Sequence, residues 1–371
     1  MTSKNSLLSG PVIPAVILLL VLSLALNVVQ FLPKSPEAPA MLVPNAPQVA
    51  MLDAKPTLVY ELYVSNKTPL EFSKIEVYDN STGALLKRLE GDELNRSFHA
   101  PFRGLDYYIF FMWVEPADAP TAIYHKVYLK DGQMYDGAVT AIDSTPLLVI
   151  APPLKGGNWL AANGPSNFVG HRTTVFNLNG NSFISQRYAI DFIQLGADGK
   201  MFSTDGVTNE DYPFYGADIY AVADGTVVDA KDWLADNKPG EKPVPTVAWA
   251  GGNYVVLDIG NGNYAYYAHM IPGSEKVKTG DSVRKGDVIG RLGSTGNSDL
   301  PHLHFHIMSG KDALFSQGKP YIFESYILTG ASPNWSALLA RNASLNTPLA
   351  TPVTRVMNMP IDGDIITFVD E

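Results

Sequence analysis

The sequence predicts a mainly β protein that follows an N-terminal membrane segment. An uncharged apolar stretch lies near the N-terminus, short β-rich runs between Asn, Asp, Gly and Pro turns fill most of the remaining chain, and histidines alternate along one late run. Such runs between turn residues are typical of antiparallel strands. Because 46% of the 371 residues are hydrophobic, the chain can bury a sizeable core in two or three domains.

The apolar stretch is suited to crossing a membrane. Residues 10–32 carry no charge and are dominated by Val, Ile, Leu and Ala, enough to span a hydrocarbon core of about 30 Å. We predict a cytoplasmic tail over 1–9, a transmembrane anchor or uncleaved signal over 10–32, and a Pro-rich linker over 33–50. A cleaved signal peptide is the alternative, although no clear small-x-small cleavage site precedes Pro33. The prediction places the rest of a single-pass protein outside the cytoplasm.

Two β regions follow the linker. Residues 51–150 predict a small antiparallel sandwich, in which His99 and His125 are isolated histidines with structural roles. Residues 151–330 predict a second β domain, and 331–371 a C-terminal extension. The strands expected in the two regions are Leu58–Val64, Ile75–Tyr78, Tyr107–Val114, Tyr124–Leu129, Arg172–Asn177, Phe183–Ile193, Ile219–Val228, Tyr254–Ile259, Tyr264–His269 and Leu303–Met308.

Composition narrows the possible functions. The chain has 27 basic and 37 acidic residues and a net charge of −10, without a basic run, which argues against nucleic-acid binding because phosphate recognition needs clustered Lys and Arg. It has no cysteine, which excludes disulfides, thiolate nucleophiles and Cys-based zinc sites. Any metal must therefore be held by His, Asp or Glu.

The most informative motif is an alternating histidine run, Pro301-His302-Leu303-His304-Phe305-His306. Alternate residues of a strand face the same side, so His302 and His304 should project into one space about 6 to 7 Å apart. One histidine could bind a metal while its neighbour acts on the metal-bound water. A solvent-facing histidine stripe is the alternative for the run alone, and His306 is interpreted as a structural neighbour of the site.

The surrounding residues resemble a known family. Gly290–Ser298, followed by Pro301–Phe305, resembles the signature of the lysostaphin or LytM-type zinc endopeptidases. Further segments follow the family's order, and the resemblance covers about Gln186 to Met308. These segments are Tyr220–Val228, Gly252–Asp258, Tyr267–Met270 and Val283–Gly290.

The resemblance implies a mainly β fold with a lysostaphin-type sheet domain, a zinc ion and hydrolysis of peptide bonds in peptidoglycan. Asp191 matches the family's Asp ligand and His304 its second strand histidine, so both are expected to hold Zn²⁺. His302 and His269 match the family's catalytic histidines, which would transfer the proton of the attacking water and hydrogen-bond the developing tetrahedral intermediate.

One position departs from the family pattern. Where the family has its first ligand histidine, the chain has Arg187, which stays protonated and cannot bind a cation. His171 is the candidate replacement. A three-residue loop over Leu178–Gly180 would place His171 across from Arg187, on the face shared with Asp191, whereas a two-residue Asn179–Gly180 turn would point it to the other face. The first arrangement is preferred, which makes His171 the third metal ligand.

These expectations combine into a membrane-anchored zinc endopeptidase that acts on peptidoglycan stems or cross-links outside the cytoplasm. The alternative is a catalytically degenerate domain that binds or regulates cell-wall enzymes, for which Arg187 is the best argument. The sandwich is compatible with a wall-binding module, an inhibitory plug or a spacer. Oligomeric state, a partner enzyme and the bond cleaved do not follow from the sequence.

Overall fold

The structure, a computed structural model, describes residues 38–99, 107–241, 246–336 and 347–369. The predicted tail and membrane segment, residues 1–32, lie outside these ranges. Among the residues that the structure describes, no helix is both long and apolar enough to cross a bilayer. The part that can be described is mainly β, as predicted.

The first half of the described chain forms two antiparallel sheets. One contains β1, β2, β3, β6 and β7, and the other has the order β5-β4-β8-β9. A short helix, α1, follows β5. The elements are β1 (Ala40–Leu42), β2 (Val49–Leu52), β3 (Lys55–Ser65), β4 (Phe72–Asp79), β5 (Leu85–Glu90), α1 (Gly91–Arg96), β6 (Phe98–His99), β7 (Tyr107–Val114), β8 (Ala122–Leu129) and β9 (Met134–Ala141). Residues 40–42, from the predicted linker, therefore pair within this unit.

The two sheets share one apolar core, as the predicted sandwich requires. Leu62 on β3, Ile75 on β4 and Val127 on β8 are all fully buried in it. Along β8 buried and partly exposed residues alternate strictly, which is the pattern of a strand with one face in a core.

The second half of the described chain builds a larger sheet of eleven strands. The main path is β10-β22-β24-β11-β14-β21-β18-β17-β16-β19, with β23 beside β22. Its elements and those around it are β10 (Leu148–Ile150), β11 (Gly156–Ala162), α2 (Gly170–Thr173), β12 (Phe176–Leu178), β13 (Asn181–Phe183), β14 (Ile190–Gln194), β15 (Asp218–Tyr220), β16 (Gly225–Lys231), β17 (Tyr254–Asp258), β18 (Tyr264–Ala268), β19 (Ser282–Val283), β20 (Val288–Arg291), β21 (Leu303–Met308), β22 (Tyr321–Ala331), β23 (Thr347–Asn358) and β24 (Asp364–Phe368). Three 3-10 turns complete it, Asn209–Asp211, Val247–Trp249 and Ala313–Phe315.

The C-terminal residues, expected to form an extension, belong to this sheet. Strand β24 lies between β11 and β22, where Ile366 is fully buried and pairs with Trp159 and Leu328. A central strand cannot be removed without exposing both neighbours, so the second domain includes residues beyond 330.

Three predicted strands are broken in the structure, among them Ile219–Val228, which divides into the end of β15, a loop and the start of β16. Arg172–Asn177 was expected as one strand, but its first residues belong to α2 and only Phe176–Leu178 is extended. Phe183–Ile193 divides into the end of β13, a turn and β14. The β12–β13 hairpin has the two-residue Asn179–Gly180 turn, because Leu178 pairs with Asn181. By contrast, Leu303–Met308 has the predicted bounds.

Strand β3 joins the sandwich to the large sheet. Its even-numbered residues, such as Leu58 and Leu62, pack into the sandwich core, whereas Val59 packs with the core of the large sheet and Tyr63 packs against Ile184. Glu61 lies on the same face of β3 as Val59 and Tyr63, between them, and is only 1% exposed. Because side chains alternate along a strand, β3 presents Glu61 to the second domain.

Replacing Ile366 with Ala tests whether the C-terminal strand supports the large sheet. Truncating a fully buried Ile should lower the free energy of unfolding by about 2–5 kcal/mol. Val356 on β23 is 63% exposed, so Val356→Ala should stay within about 0.5 kcal/mol of wild type. Urea denaturation followed by tryptophan fluorescence measures both. Equal stability of the two variants would contradict this role of β24.

Replacing His125 with Gln tests a buried histidine of the sandwich. Burial lowers the pKa of His125 to about 4 against the smaller opposing effect of backbone hydrogen bonds, and its Nε2 lies 2.8 Å from the Tyr60 hydroxyl. The unfolded chain therefore binds more protons between about pH 6.5 and 4, so acidification across this window destabilises the fold by up to about 1.4 kcal/mol per pH unit through this group.

His125→Gln should remove that part of the pH dependence while leaving an acceptor for Tyr60. The measurement is the free energy of unfolding at pH 7, 6 and 5 for both proteins. Parallel curves for wild type and variant would show that His125 does not titrate on unfolding.

Candidate metal centre and active site

The site is built around Asp191 on the central strand β14. Strand β14 pairs antiparallel with β21, and Asp191 lies directly opposite His304. Directly opposed residues face the same side of a sheet, and the Nδ1 of His304 is 2.9 Å from Asp191 Oδ1. Asp191 is 7% exposed and His304 is 5% exposed. The sheet register therefore places a carboxylate and an imidazole together in a largely dry environment.

His171 reaches the same carboxylate, by a route that the sequence did not predict. It lies on α2 rather than on a strand, and its Nε2 is 3.4 Å from Asp191 Oδ2. The preferred three-residue loop over Leu178–Gly180 was wrong, since the turn has two residues. The inference that such a turn would direct His171 away also failed, because His171 lies on α2, outside the hairpin, where strand register does not apply. The structure thus brings His171, Asp191 and His304 together.

Backbone carbonyls fix the protonation pattern of three histidines. The Nδ1 of His171 lies 2.9 Å from Asn163 O, that of His269 lies 2.7 Å from Thr295 O, and that of His302 lies 3.0 Å from Leu300 O. A carbonyl oxygen only accepts, so each Nδ1 must donate and a neutral ring keeps its lone pair on Nε2.

These lone pairs are directed towards the centre of the site. His302 Nε2 is 3.5 Å from Asp191 Oδ1, and the rings of His269 and His302 are 4.5 Å apart between centroids. Neutral imidazole lone pairs and a carboxylate are all acceptors. Their convergence creates a space that favours protons or a cation.

A glycine-containing turn, residues 293–298, positions His269 and His302. Gly296 has a positive φ of 74°, and a Cβ there would lie 2.3 Å from the backbone nitrogen of Gly252, so only glycine allows this close approach. His269 itself has a φ of 67°, a left-handed conformation that non-glycine residues adopt at a cost. The stretch forms the bend that precedes the histidine strand.

His306 lies behind His304 and contacts it through the ring nitrogens. His304 Nε2 and His306 Nδ1 are 2.9 Å apart, and His306 is fully buried. If His304 binds a cation through Nδ1, its Nε2 must carry the proton and donate to His306. The Nε2 of His306 has no hydrogen-bond partner among the described residues. This agrees with the predicted structural role of His306 next to the site.

Burial and charge set the protonation of the cluster. Burial alone would raise the pKa of Asp191, but the imidazoles of His171 and His302 and the hydrogen bond from His304 bring it well below its usual range. Burial lowers the pKa of His304 to about 4, against the attraction of Asp191. Burial also lowers the pKa of His269 well below its usual value, and the neighbouring histidines add to this. The carboxylate is therefore charged and these two imidazoles neutral near pH 7.

The donor set fits a zinc ion. One ligand atom each from His171, Asp191 and His304 can be chosen so that all lie within 4.8 Å of one another. Tetrahedral zinc with bonds of about 2.0–2.1 Å needs ligand atoms about 3.3 Å apart. Two imidazoles and one carboxylate are also a ligand set that leaves a coordination position open. The Asn163 side chain donates to Asp191 Oδ2 at 2.8 Å, an orienting contact that the sequence analysis missed.

All five residues singled out in the sequence line one cleft of about 630 Å³. They are His171, Asp191, His269, His302 and His304. The cleft wall also includes both polar and aromatic side chains, among them Asp229, Lys231 and Tyr254. Arg187, which stands where the family has its first ligand histidine, lies outside this cleft and pairs with Glu61 of the sandwich. It therefore does not contact the proposed metal position.

Asp191 lies opposite the His-x-His strand in a cleft that contains further histidines, a set of residues that could hold a metal ion. Residues 210–316 match the family model described as Peptidase family M23. The matched segment contains His269, His302 and His304 and begins after His171 and Asp191. The resemblance to lysostaphin-type peptidases predicted from the sequence is confirmed.

Individual relatives are similar over short segments. The chain is 40% identical over 78 residues to the peptidoglycan DD-endopeptidase ShyC of Vibrio cholerae, covering 18% of each protein. It is 35% identical over 95 residues to the glycyl-glycine endopeptidase ALE-1 of Staphylococcus capitis, covering 25% of this chain and 22% of the relative. The match thus spans about a fifth of these curated relatives.

Solved structures include the catalytic domain of lysostaphin from Staphylococcus simulans. It is 25% identical to the chain and covers 44% of it and 88% of its own length, with a TM-score of 0.25.

Substitutions of His306 test whether it orients His304 for metal binding. His306→Leu removes the acceptor for His304 Nε2, so zinc affinity should fall about 10–100-fold, as when other partners of ligand histidines are removed. His306→Asn keeps an acceptor near the Nδ1 position and should retain most of the affinity. Competition with a chromophoric zinc chelator measures both constants. Wild-type affinity in His306→Leu would rule out the orienting role.

Proposed function

We propose that the chain is a zinc-dependent endopeptidase that hydrolyses peptide stems or cross-links of bacterial peptidoglycan. The single observation that supports this most is the convergence of His171, His304 and Asp191 in one cleft with two further histidines. The names of the relatives, a peptidoglycan and a glycyl-glycine endopeptidase, support the substrate class. Neither name decides which bond this chain cleaves.

Three side chains would hold the metal and two would carry the proton. His171, Asp191 and His304 are the proposed ligands. When bound, zinc would supply Lewis acidity that activates a water and polarises the scissile carbonyl. His269 and His302 donate through Nδ1 to backbone carbonyls, which leaves Nε2 free to accept the proton of the attacking water and to return it to the leaving amine. The low pKa of His269 keeps this nitrogen available near neutrality.

The catalytically degenerate alternative depended mainly on Arg187. His171 supplies an imidazole at the cluster from a different element, so the loss of the family's first ligand does not by itself leave the site incomplete. The Nδ1 of His171, His269 and His302 each donates to a backbone carbonyl, so three Nε2 lone pairs lie around Asp191, an arrangement that a bound cation satisfies. The active enzyme is therefore the preferred function.

The proposal includes a location. We place the enzyme at the cell membrane, anchored through residues 10–32, with the domains after the linker on the extracytoplasmic side. The apolar length of that segment and a substrate outside the cytoplasm support this arrangement.

Two variants separate metal binding from catalysis. Wild-type protein should contain one zinc per chain and release peptides from purified peptidoglycan, and His304→Ala should lose both properties. His269→Ala removes a proton carrier but no ligand, so it should keep its zinc while kcat falls about 10²–10⁴-fold. Elemental analysis gives the zinc content, and mass spectrometry of released fragments gives the rate and the bond cleaved.

The matched control is His125→Gln, which changes a buried histidine of the sandwich that does not line the cleft. It should retain both zinc and hydrolysis. A wild-type protein that binds no zinc, or a His304→Ala variant that still hydrolyses peptidoglycan, would refute the proposed function.

A further inference from the structure

A buried ion-pair cluster connects the sandwich to the metal centre. Both oxygens of Glu61 on β3 are paired: Arg187 Nε lies 3.0 Å from Oε1 and Arg187 Nη2 lies 2.7 Å from Oε2, and Arg172 Nη1 also donates to Oε1. Glu61 and Arg172 are at most 1% exposed and Arg187 is 6% exposed. Buried charges persist only when they are paired and hydrogen-bonded, so the positions of the three groups are mutually fixed.

The two arginines are adjacent to the metal-binding residues. Arg172 directly follows His171 on α2, and Arg187 lies four residues before Asp191, in the turn that leads into β14. Successive residues of a helix point about 100° apart. His171 can therefore face Asp191 while Arg172 faces the sandwich.

Helix α2 cannot hold His171 in place by itself. It has four residues and no side-chain hydrogen bond at its N-cap, and helices this short are not stable without tertiary contacts. The segment must be anchored from outside.

The anchors of this segment are on the sandwich. The Arg172 guanidinium donates to Glu61 and, through Nη2, to Tyr60 O at 2.7 Å, and it lies 4.7 Å from the centre of the Phe111 ring. Asn167, earlier in the same segment, donates to Phe111 O at 2.6 Å. Asn167 and Arg172 are thus fixed to β3 and β7 of the sandwich, whereas His171 between them donates through Nδ1 to Asn163 O, next to β11 of the large sheet.

We propose that Glu61 is a positioning residue of the metal centre. By pairing with Arg172 and Arg187, it holds His171 and the start of β14 in the geometry that binds zinc. The sandwich then completes the centre instead of acting as a separate spacer, plug or wall-binding module. This inference rests on the proposed function, because it assigns His171 as a ligand, but it concerns how the ligand is held.

The test compares two buried carboxylates of the sandwich in the full-length protein. Glu61→Gln removes the charge that pairs with Arg172 and Arg187. Glu76→Gln is the matched control: Glu76 is 2% exposed and is paired with Lys74 and Arg88 within the sandwich. Glu61→Gln should weaken zinc binding about 10–100-fold, the usual effect of losing an orienting contact behind a ligand, and Glu76→Gln should remain within about twofold of wild type.

Two readouts apart from activity distinguish positioning from general stabilisation. The absorption spectrum of the Co²⁺-substituted protein should change in Glu61→Gln as the imidazole of His171 is displaced, but not in Glu76→Gln. Amide hydrogen exchange of residues 167–173, measured without metal, should accelerate only in Glu61→Gln. Equal zinc affinity in Glu61→Gln and wild type, or equal losses in both variants, would overturn the proposal.

Asn167→Ala keeps the proposal testable if Glu61→Gln does not fold. It removes a neutral anchor of the same segment without leaving a buried charge unpaired, and zinc affinity should fall roughly fivefold, as expected for one hydrogen bond. Unchanged affinity and exchange in Asn167→Ala would then refute anchoring by the sandwich.

His304→Ala separates the two proposals. If wild type binds zinc, His304→Ala does not and Glu61→Gln binds normally, only the positioning role fails. If wild type binds no zinc, the proposed function fails and the positioning role with it.

Discussion

The structure of the site depends on one buried carboxylate placed among imidazoles. Asp191 is 7% exposed, and His171, His302 and His304 all lie within 3.5 Å of its oxygens. A buried anion needs compensating positive charge, and the imidazole of His304, whose pKa is lowered by burial, supplies none near pH 7. Protons can meet this need in part, because His304 Nδ1 can donate to Asp191, but a divalent cation satisfies the carboxylate and the lone pairs together. Binding of such a cation would therefore be coupled to release of the His304 Nδ1 proton.

The same requirement explains why an arginine can stand where the family has a ligand. Arg187 brought to Asp191 would supply positive charge but would compete with a cation. Its guanidinium instead points towards the sandwich, where Glu61 forms ion pairs with both Arg187 and Arg172. Burial alone would raise the pKa of Glu61, but the two guanidinium charges lower it to about 2. The positive charge is thereby neutralised away from the cleft. His171 brings an imidazole to Asp191 instead, from helix α2, whose Arg172 pairs with Glu61.

The sequence predicted those parts of the site that local periodicity determines. Alternation along β21 put His302, His304 and His306 on one face, and the strand has the expected bounds, because period-two patterning is a local property. The position of His171 could not be obtained in this way. It depends on the contact of Arg172 with Glu61, 111 residues away along the chain, and hairpin register gave the wrong reason for a residue that does reach Asp191.

Glu61 carried only a weak signal. It is the one charged residue in the apolar run Leu58–Val64, and a charge in a strand buried on both faces implies a partner without identifying it. The place of the C-terminal strand within the large sheet was missed for a similar reason. Nothing local to Ile366 indicates that it lies between β11 and β22, because pairing with those distant strands is what places it there.

The face opposite the histidines determines whether the site can form at all. Leu303, Phe305 and Ile307 alternate with the histidines of β21 and are fully buried in the core of the large sheet. A slip of one residue would exchange the two faces, moving three large apolar side chains into the cleft and the histidines into the core. Such a slip would expose apolar area and bury several imidazoles without partners, and both changes are unfavourable. The hydrophobic core thus fixes the register of β21 against β14 and β18, and the geometry of the metal centre follows from that register on the strand side. The position of His171 depends instead on the contact of Arg172 with Glu61 of the sandwich. Packing in both domains therefore determines the geometry of a centre whose residues all belong to the second domain.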